Sequence, residues 1–597
     1  MDGMVGMIRA CRGIASAAAA LGTVLAAHAL APAAMAQNNN LVANYDGAGA
    51  EQAAVPAVLA AADRQYYRDV FSAINREQWA EADALLAQRG GGVLHQMALA
   101  AYYTHANSPR VSADQVARWF EAGTHLPQSD QLARLGAKRG LTYTPELPYA
   151  QTLVRHASAP KRILPRTVED GTLAASAKAA MLDAIKNNNP ASAHATLLEV
   201  DPFLSSDARA EWRQRVAWAY YINNDDTAAL EMAETVGAGS GAWVAEGDWV
   251  AGLAAWRLGH CSLAGEAFVR TANRASNPEL AAAANYWAHR ALVRCREPGK
   301  AQAFLSQAAR FDETLYGMLA ADQLGITLPS EAMPRPLSPE DWRMLGTRPN
   351  VMVAAALTEI GEPALADDVL RHEARIAPAA HYPALARLAR ALGLPATQLF
   401  LAHNAPAGMQ PEAALRFPVA RWQPVTGWQV DPALAFAHAL QESNFRASAV
   451  SPANARGLMQ IMPGTARDHA SRLNLGASYA DLNDPAVNLA YGQHHLEMLR
   501  DHPATGGALP KIMAAYNAGL TPVSRWNYEV RDQNDPLLWM ESIPYWETRG
   551  YVAIVMRNYW MYERATGALS PSRRALAQGR WPTFPQGSTH RSAALIP

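Results

Sequence analysis

The chain has 597 residues, half of them hydrophobic, with 52 Lys and Arg set against 53 Asp and Glu. That length accommodates several domains with large cores, and the balanced charge excludes a protein drawn by its overall field to nucleic acid or an anionic membrane. Ala and Leu dominate and β-branched runs are few, so the expected fold is mainly all-α with at most a small β element.

Residues 1–36 read as an export signal: Arg9 and Arg12 start it, Gly13 to Leu30 is apolar and small, and Ala34-Met35-Ala36 is a small-x-small cleavage site before Gln37. Cleavage would remove Cys11 and leave a soluble protein with no membrane span outside the cytoplasm. Two cysteines then remain, Cys261 and Cys295. In an oxidising compartment they could form a disulfide, and their 34-residue separation is about one helical-repeat unit; two buried free thiols fit the sequence equally well.

Residues 37–335 form the first expected domain, a helical-repeat superhelix resembling the tetratricopeptide pattern without its full consensus. Tyr67, Val70, Phe71 and Ile74 follow i, i+3, i+4, i+7 spacing. Tyr220, Trp256 and Leu292 recur every 36 residues, as do Met232, Phe268 and Phe304. Helix pairs of this size bury their apolar faces by stacking on their neighbours. The breaker cluster from Met333 to Pro339 then opens a small helical linker domain, 336–414. Pro406, Pro411, Pro418 and Pro424 punctuate the crossing into a C-terminal domain at 415–570, and the tail 571–597, without apolar periodicity, is expected to be mobile.

The C-terminal domain carries the chemistry. Asp431 is a good N-cap and Pro432 suits the first helical position, while Leu434, Ala437 and Leu440 recur on one face. Glu442, two residues past Leu440, would sit half-desolvated at the edge of the core. Desolvation raises a carboxyl pKa, as a general acid near neutral pH requires.

Gln441-Glu442-Ser443, Gly457-Leu-Met-Gln-Ile-Met-Pro463, Ala515-Tyr-Asn-Ala-Gly519 and Glu541-Ser-Ile-Pro-Tyr-Trp-Glu-Thr-Arg-Gly-Tyr551 follow one another over about 115 residues. Together they resemble the soluble lytic transglycosylases, periplasmic enzymes that cleave peptidoglycan glycan strands. The resemblance implies a lysozyme-like catalytic domain on a helical platform, a monomer whose partners are peptidoglycan glycan strands and other cell-wall enzymes, and no cofactor or metal. It also implies cleavage of the β-1,4 bond between N-acetylmuramic acid and N-acetylglucosamine, leaving 1,6-anhydromuramic ends.

On that resemblance Glu442 is the catalytic acid, while Gln460, Met462, Tyr516, Asn517 and Glu547 contact substrate. Tyr551, in the last block, is also expected at substrate. Ser443 is expected to bond glycan or the Glu442 carboxylate. Two departures stand out, Leu520 where many relatives have proline and Arg456 where a small residue is common. No second carboxylate sits beside Glu442 in these blocks, because Asp481 and Asp484 read as a helix-start turn. A hydrolytic muramidase, like the related goose-type lysozymes, and a non-catalytic wall-binding scaffold remain alternatives. His494, His495 and His502 lack a recognisable ligand spacing.

Overall fold

The computed structural model describes residues 55–328 and 334–585, so the export signal read at 1–36 and the chain beyond 585 lie outside the described residues. These contain twenty-eight α-helices and two three-residue strands. One sequence device starts many of the helices. At Asn189-Pro190, Asn277-Pro278, Asp431-Pro432, Asp484-Pro485 and Asp535-Pro536 the Asx side chain accepts a first-turn N–H, and proline occupies a position whose N–H would have no partner anyway. The Asp484 turn is the helix start expected from the sequence.

The two 36-residue ladders fall on alternating helices. Tyr220, Trp256 and Leu292 lie on Ser206–Ile222, Trp243–Arg257 and Pro278–Arg294; Met232, Phe268 and Phe304 lie on Asp226–Thr235, Cys261–Arg274 and Pro298–Ala308. These six helices pack in chain order as stacked hairpins. Gly252 lets two of them close up, since a Cβ there would lie 2.4 Å from the Phe268 ring. Cys261 and Cys295 are joined in a disulfide, their Cα atoms 5.5 Å apart.

Packing groups the chain differently from its linear order. One core unites Leu59 to Leu132 with Leu337 to Leu415, so the start of the supposed superhelix packs on the linker helices. A strand pairing reinforces this, Leu153–Arg155 running antiparallel to Asn404–Pro406. The second core joins the hairpin stack to the C-terminal domain, from Met181 through Leu319 and on from Phe417 to Phe584. Boundaries at 335 and 414 therefore cut through shared cores.

The tail also needs correction. Pro571–Ala577 is a helix, Gln323 Nε2 donates to Ala577 O at 2.6 Å, and Thr583 bridges to Ala508. Leu576 and Phe584 are buried. Isolated anchors of this kind leave no periodic signal, which is why composition alone suggested mobility.

Replacing both Cys261 and Cys295 by Ala should destabilise the hairpin stack by about 3 to 4 kcal/mol, the loop-closure estimate for a cross-link of this span. Denaturant melts of the full chain, oxidised and substituted, measure it; equal midpoints would contradict the expectation.

Candidate active site

The helix Pro432–Ser443 is buried from Pro432 through Ala439, with Asp431 accepting from Ala433 N at 3.0 Å. It ends in two left-handed residues, Asn444 at φ 51° and Phe445 at φ 61°. A phenylalanine there is strained, and its burial against Phe436, ring centroids 6.1 Å apart, holds it. The turn leaves Glu442 half-buried on the last helical turn.

Tyr551 Oη donates to Glu442 Oε1 at 2.7 Å and lies 2.7 Å from His438 Nδ1. Since the tyrosine has one proton and gives it to Glu442, Nδ1 of His438 is the donor to Oη. Complete burial keeps the imidazole neutral, pushing the His438 pKa down to about 3 with help from the nearby His495. The result is a one-way chain, His438 to Tyr551 to Glu442. Burial lifts the Glu442 pKa to about 7; the Tyr551 hydrogen bond pulls it back and the charge of Glu547 pushes it up. Oε2 takes no hydrogen bond from the described residues.

The loop opposite is held by its own motif. At Gly457 (φ +74°) a Cβ would meet Asn488 Nδ2 and Leu482 O at 2.2 Å, so only glycine fits. Buried Asn488 accepts from Met459 N at 2.8 Å and donates to Arg456 O and Leu482 O. Arg456 and Ile461 form an antiparallel bridge, part of the small β element expected here. Arg456 itself stacks on Tyr479, 3.7 Å from the ring centroid.

The expected site residues converge unevenly. Gln460 Nε2 donates to Ala449 O and Gly457 O at 3.1 and 2.9 Å, so its amide nitrogen closes the loop and leaves only Oε1 for a ligand. Met462, 43 % exposed, caps the Pro463–Leu473 helix. Tyr516 Oη donates its proton to Met459 O at 2.7 Å. Asn517 Oδ1 accepts from Thr548 at 2.6 Å, and Glu547 is exposed on the first turn of Trp546–Ala565.

Two expectations are corrected. Ser443 is fully buried and donates to Ala439 O at 3.1 Å, the usual back-bond of a helical serine, so it touches neither ligand nor carboxylate. Tyr551 is buried and its hydroxyl sits on the acid, which makes it a partner of Glu442 instead of a substrate contact. Sequence reading missed His438 altogether. Its signal was present: a histidine one helical turn before the acid, on a face otherwise of Ala, Leu and Phe. Among the described residues no cluster of three or more His, Cys, Asp or Glu could hold a metal ion.

Residues 423–538 match the Transglycosylase SLT domain family. That stretch of the chain is thus similar to a transglycosylase SLT domain. Among curated proteins, the soluble lytic murein transglycosylase of Escherichia coli K12 is 34 % identical over 148 residues, 24 % of this chain and 23 % of that protein. A putative soluble lytic murein transglycosylase of Haemophilus influenzae is 37 % identical over 135 residues, 22 % of each chain. The matched stretch therefore spans under a quarter of these relatives' length. The solved 70-kDa soluble lytic transglycosylase of Escherichia coli superposes with TM-score 0.54 at 17 % identity, covering 88 % of this chain and 99 % of that one. An inactive mutant of lytic transglycosylase Slt from Pseudomonas aeruginosa gives 0.52 at 20 % identity, covering 86 % and 88 %. At these identities the superpositions establish a shared all-α fold along most of the chain, and the sequence likeness is concentrated in the SLT domain.

Because the folded protein keeps a proton on Glu442 that an unfolded chain releases, this group's contribution to stability falls as pH rises from the ordinary carboxyl range through about 7. Glu442→Gln should therefore stabilise the chain by up to about 3 kcal/mol near pH 8 and leave it unchanged near pH 4, since moving a pKa by one is worth about 1.4 kcal/mol. Denaturant melts of both proteins at the two pH values test this; a gain that does not depend on pH would contradict it.

Proposed function

We propose that this protein is a peptidoglycan lytic transglycosylase, cleaving the β-1,4 bond between N-acetylmuramic acid and N-acetylglucosamine without consuming water. One observation carries the reading: a single half-buried carboxyl whose pKa is lifted to about 7, in an SLT domain. Such a group is poised to act as acid and then as base at neutral pH.

Tyr551 occupies Oε1, so the acidic proton resides on Oε2, which makes no bond with the described residues. From there Glu442 protonates the leaving glycosidic oxygen. The carbonyl oxygen of the 2-acetamido group attacks the anomeric carbon as that bond breaks, giving an oxazolinium ion. The sugar's 6-hydroxyl then attacks the same carbon and opens the ring, and the Glu442 carboxylate takes the hydroxyl proton. The product is a 1,6-anhydromuramoyl end and the acid is restored. Gln460 Oε1, Met462, the Asn517 amide nitrogen and Glu547 are the groups we assign to substrate.

Catalysis in the C-terminal part of the chain, packed on the helical body before it, is part of the same proposal. We infer export to the periplasm from the N-terminal Arg9, Arg12 and Ala34-Met35-Ala36 pattern. No helix of the described residues is long and apolar enough to cross a membrane.

Digestion of purified sacculi followed by mass spectrometry tests the reaction. Anhydro ends are expected; reducing ends would mean that water is the nucleophile and the hydrolytic reading holds. Glu442→Gln should lower the rate at least about a hundredfold, as expected for loss of a general acid. Equal rates for mutant and wild type would leave only a binding scaffold.

The kcat/KM profile should fall as pH rises through about 7, where Glu442 loses its proton. Tyr551→Phe removes a hydrogen bond that favours the carboxylate. It should move that limb up by about one pH unit while lowering kcat about tenfold. A limb that stays in place would show that Tyr551 does not tune the acid.

A further inference from the structure

The helix Trp546–Ala565 has two working faces. Glu547 and Tyr551, one turn apart, belong to the acid. Trp546 and Arg549 look the other way and line a cavity of about 190 Å³ against the hairpin stack. Trp218, Trp243 and Trp249 from that stack line it too, with Arg162, Arg215 and Glu246. Four indoles around one small cavity are a concentration that core packing alone does not call for.

Among the described residues, two of the three arginines around the cavity are held in ion pairs and the third is not. Arg162 pairs with Glu246 at 2.6 Å, and Arg215 pairs with Glu211 at 2.8 Å. Arg549 has no carboxylate partner among the described residues. Its guanidinium lies between two indoles, 4.0 Å from the Trp218 ring centroid and 5.0 Å from that of Trp546. Its one hydrogen bond is a long 3.4 Å contact from Nη1 to Glu541 O, and its buried Nε makes none. Burial pulls its pKa down to about 10, opposed first by the charge of Glu541, helped by that of Arg162, and opposed further by Glu246 and Tyr221. A desolvated guanidinium with unused donors is costly unless an anion completes it. Stacked indoles hold its plane fixed, as recognition of a planar carboxylate requires.

We propose that this junction is a second ligand site, which takes a carboxylate of the wall polymer, either the lactyl acid of a muramic residue or an acidic residue of its peptide. This rests on the function proposed above for the choice of ligand. The cavity is smaller than the several hundred Å³ of a typical small-molecule site, so it admits one acid residue or sugar and not a glycan strand. Arg549 meets the carboxylate, and the apolar side of the ligand lies against Leu182 and Ile185 at the cavity wall.

Tryptophan fluorescence and calorimetry on the full chain test the site without turnover. The probes are N-acetylmuramic acid, N-acetylmuramyl-L-alanyl-D-glutamate, the amide of each acid, and N-acetylglucosamine. At least one acid should bind with quenching, and at least tenfold more tightly than its own amide. Which acid binds identifies the source of the carboxylate. Arg549→Gln should weaken that binding at least tenfold. So should Leu182→Trp, which fills the cavity from a position 42 % exposed and keeps the site readable if the arginine variant fails to fold. Glu442→Gln should leave the affinity unchanged. Equal binding of acid and amide, binding that survives Leu182→Trp, or no binding at all overturns the proposal. Failure of the enzymatic reading would appear separately, as sacculi without anhydro ends.

Discussion

A carboxyl at the edge of a core must be held between two failures. With burial alone, Glu442 would hold its proton too tightly to give it to the leaving oxygen; with several donors it would ionise and have no proton to give. The Tyr551 hydroxyl supplies a single donor to Oε1 and leaves Oε2 without a partner among the described residues. That donor points the right way because His438, buried and neutral, presents its own N–H to the tyrosine oxygen. Reversing the chain would put the tyrosine proton on the histidine and remove the counterweight to desolvation. The geometry of the acid thus depends on a histidine that never reaches it.

The surrounding motif works in the same indirect way. Gly457, Asn488, the Gln460 amide nitrogen and Tyr516 spend their polar groups on the loop backbone, fixing where Gln460 Oε1 and Met462 lie. The buried N–H and C=O of Met459 need partners, and Asn488 and Tyr516 provide them. A motif of conspicuous polar residues therefore mixes ligand contacts with groups that hold the contacts still. Sequence spacing cannot separate the two, because a serine that bonds back to its own helix and a serine that faces a ligand look alike in a string.

Local features were the legible ones. The Asp431-Pro432 start, the half-buried acid, the two 36-residue ladders and the Asp484 turn each depend on neighbours within a turn or a repeat, and their residue patterns display them. His438 meets Tyr551 across 113 positions, and no local pattern encodes that meeting. The same holds for the grouping of Leu59 to Leu132 with the linker helices, and for the tail, where Leu576 and Phe584 dock without periodicity. Ser443, Tyr516 and Tyr551 were placed at the site by resemblance, but the hydrogen bonds of Ser443 and Tyr516 go to backbone carbonyls and that of Tyr551 goes to the acid.

The hairpin stack bears on the acid through the segment just before the Trp546–Ala565 helix. Tyr316 Oη donates to Glu541 at 2.7 Å, Tyr221 and Ser542 share a hydroxyl pair at 2.8 Å, and Arg290 meets Asp535 at 2.5 Å. All three contacts come from the stack, and all three fix residues 535–542. Leu537, Leu538 and Trp539 are buried in the core common to both parts. The helix that follows carries Glu547 and Tyr551, so its start is set by side chains from more than 200 positions earlier in the chain. A hydrogen bond of 2.7 Å tolerates little displacement of either end. If the stack moved, the helix start and the Tyr551 hydroxyl would move with it, and Glu442 would lose the one donor that keeps its proton available. The helical body is therefore part of the support of the acid, and not only a platform beneath it.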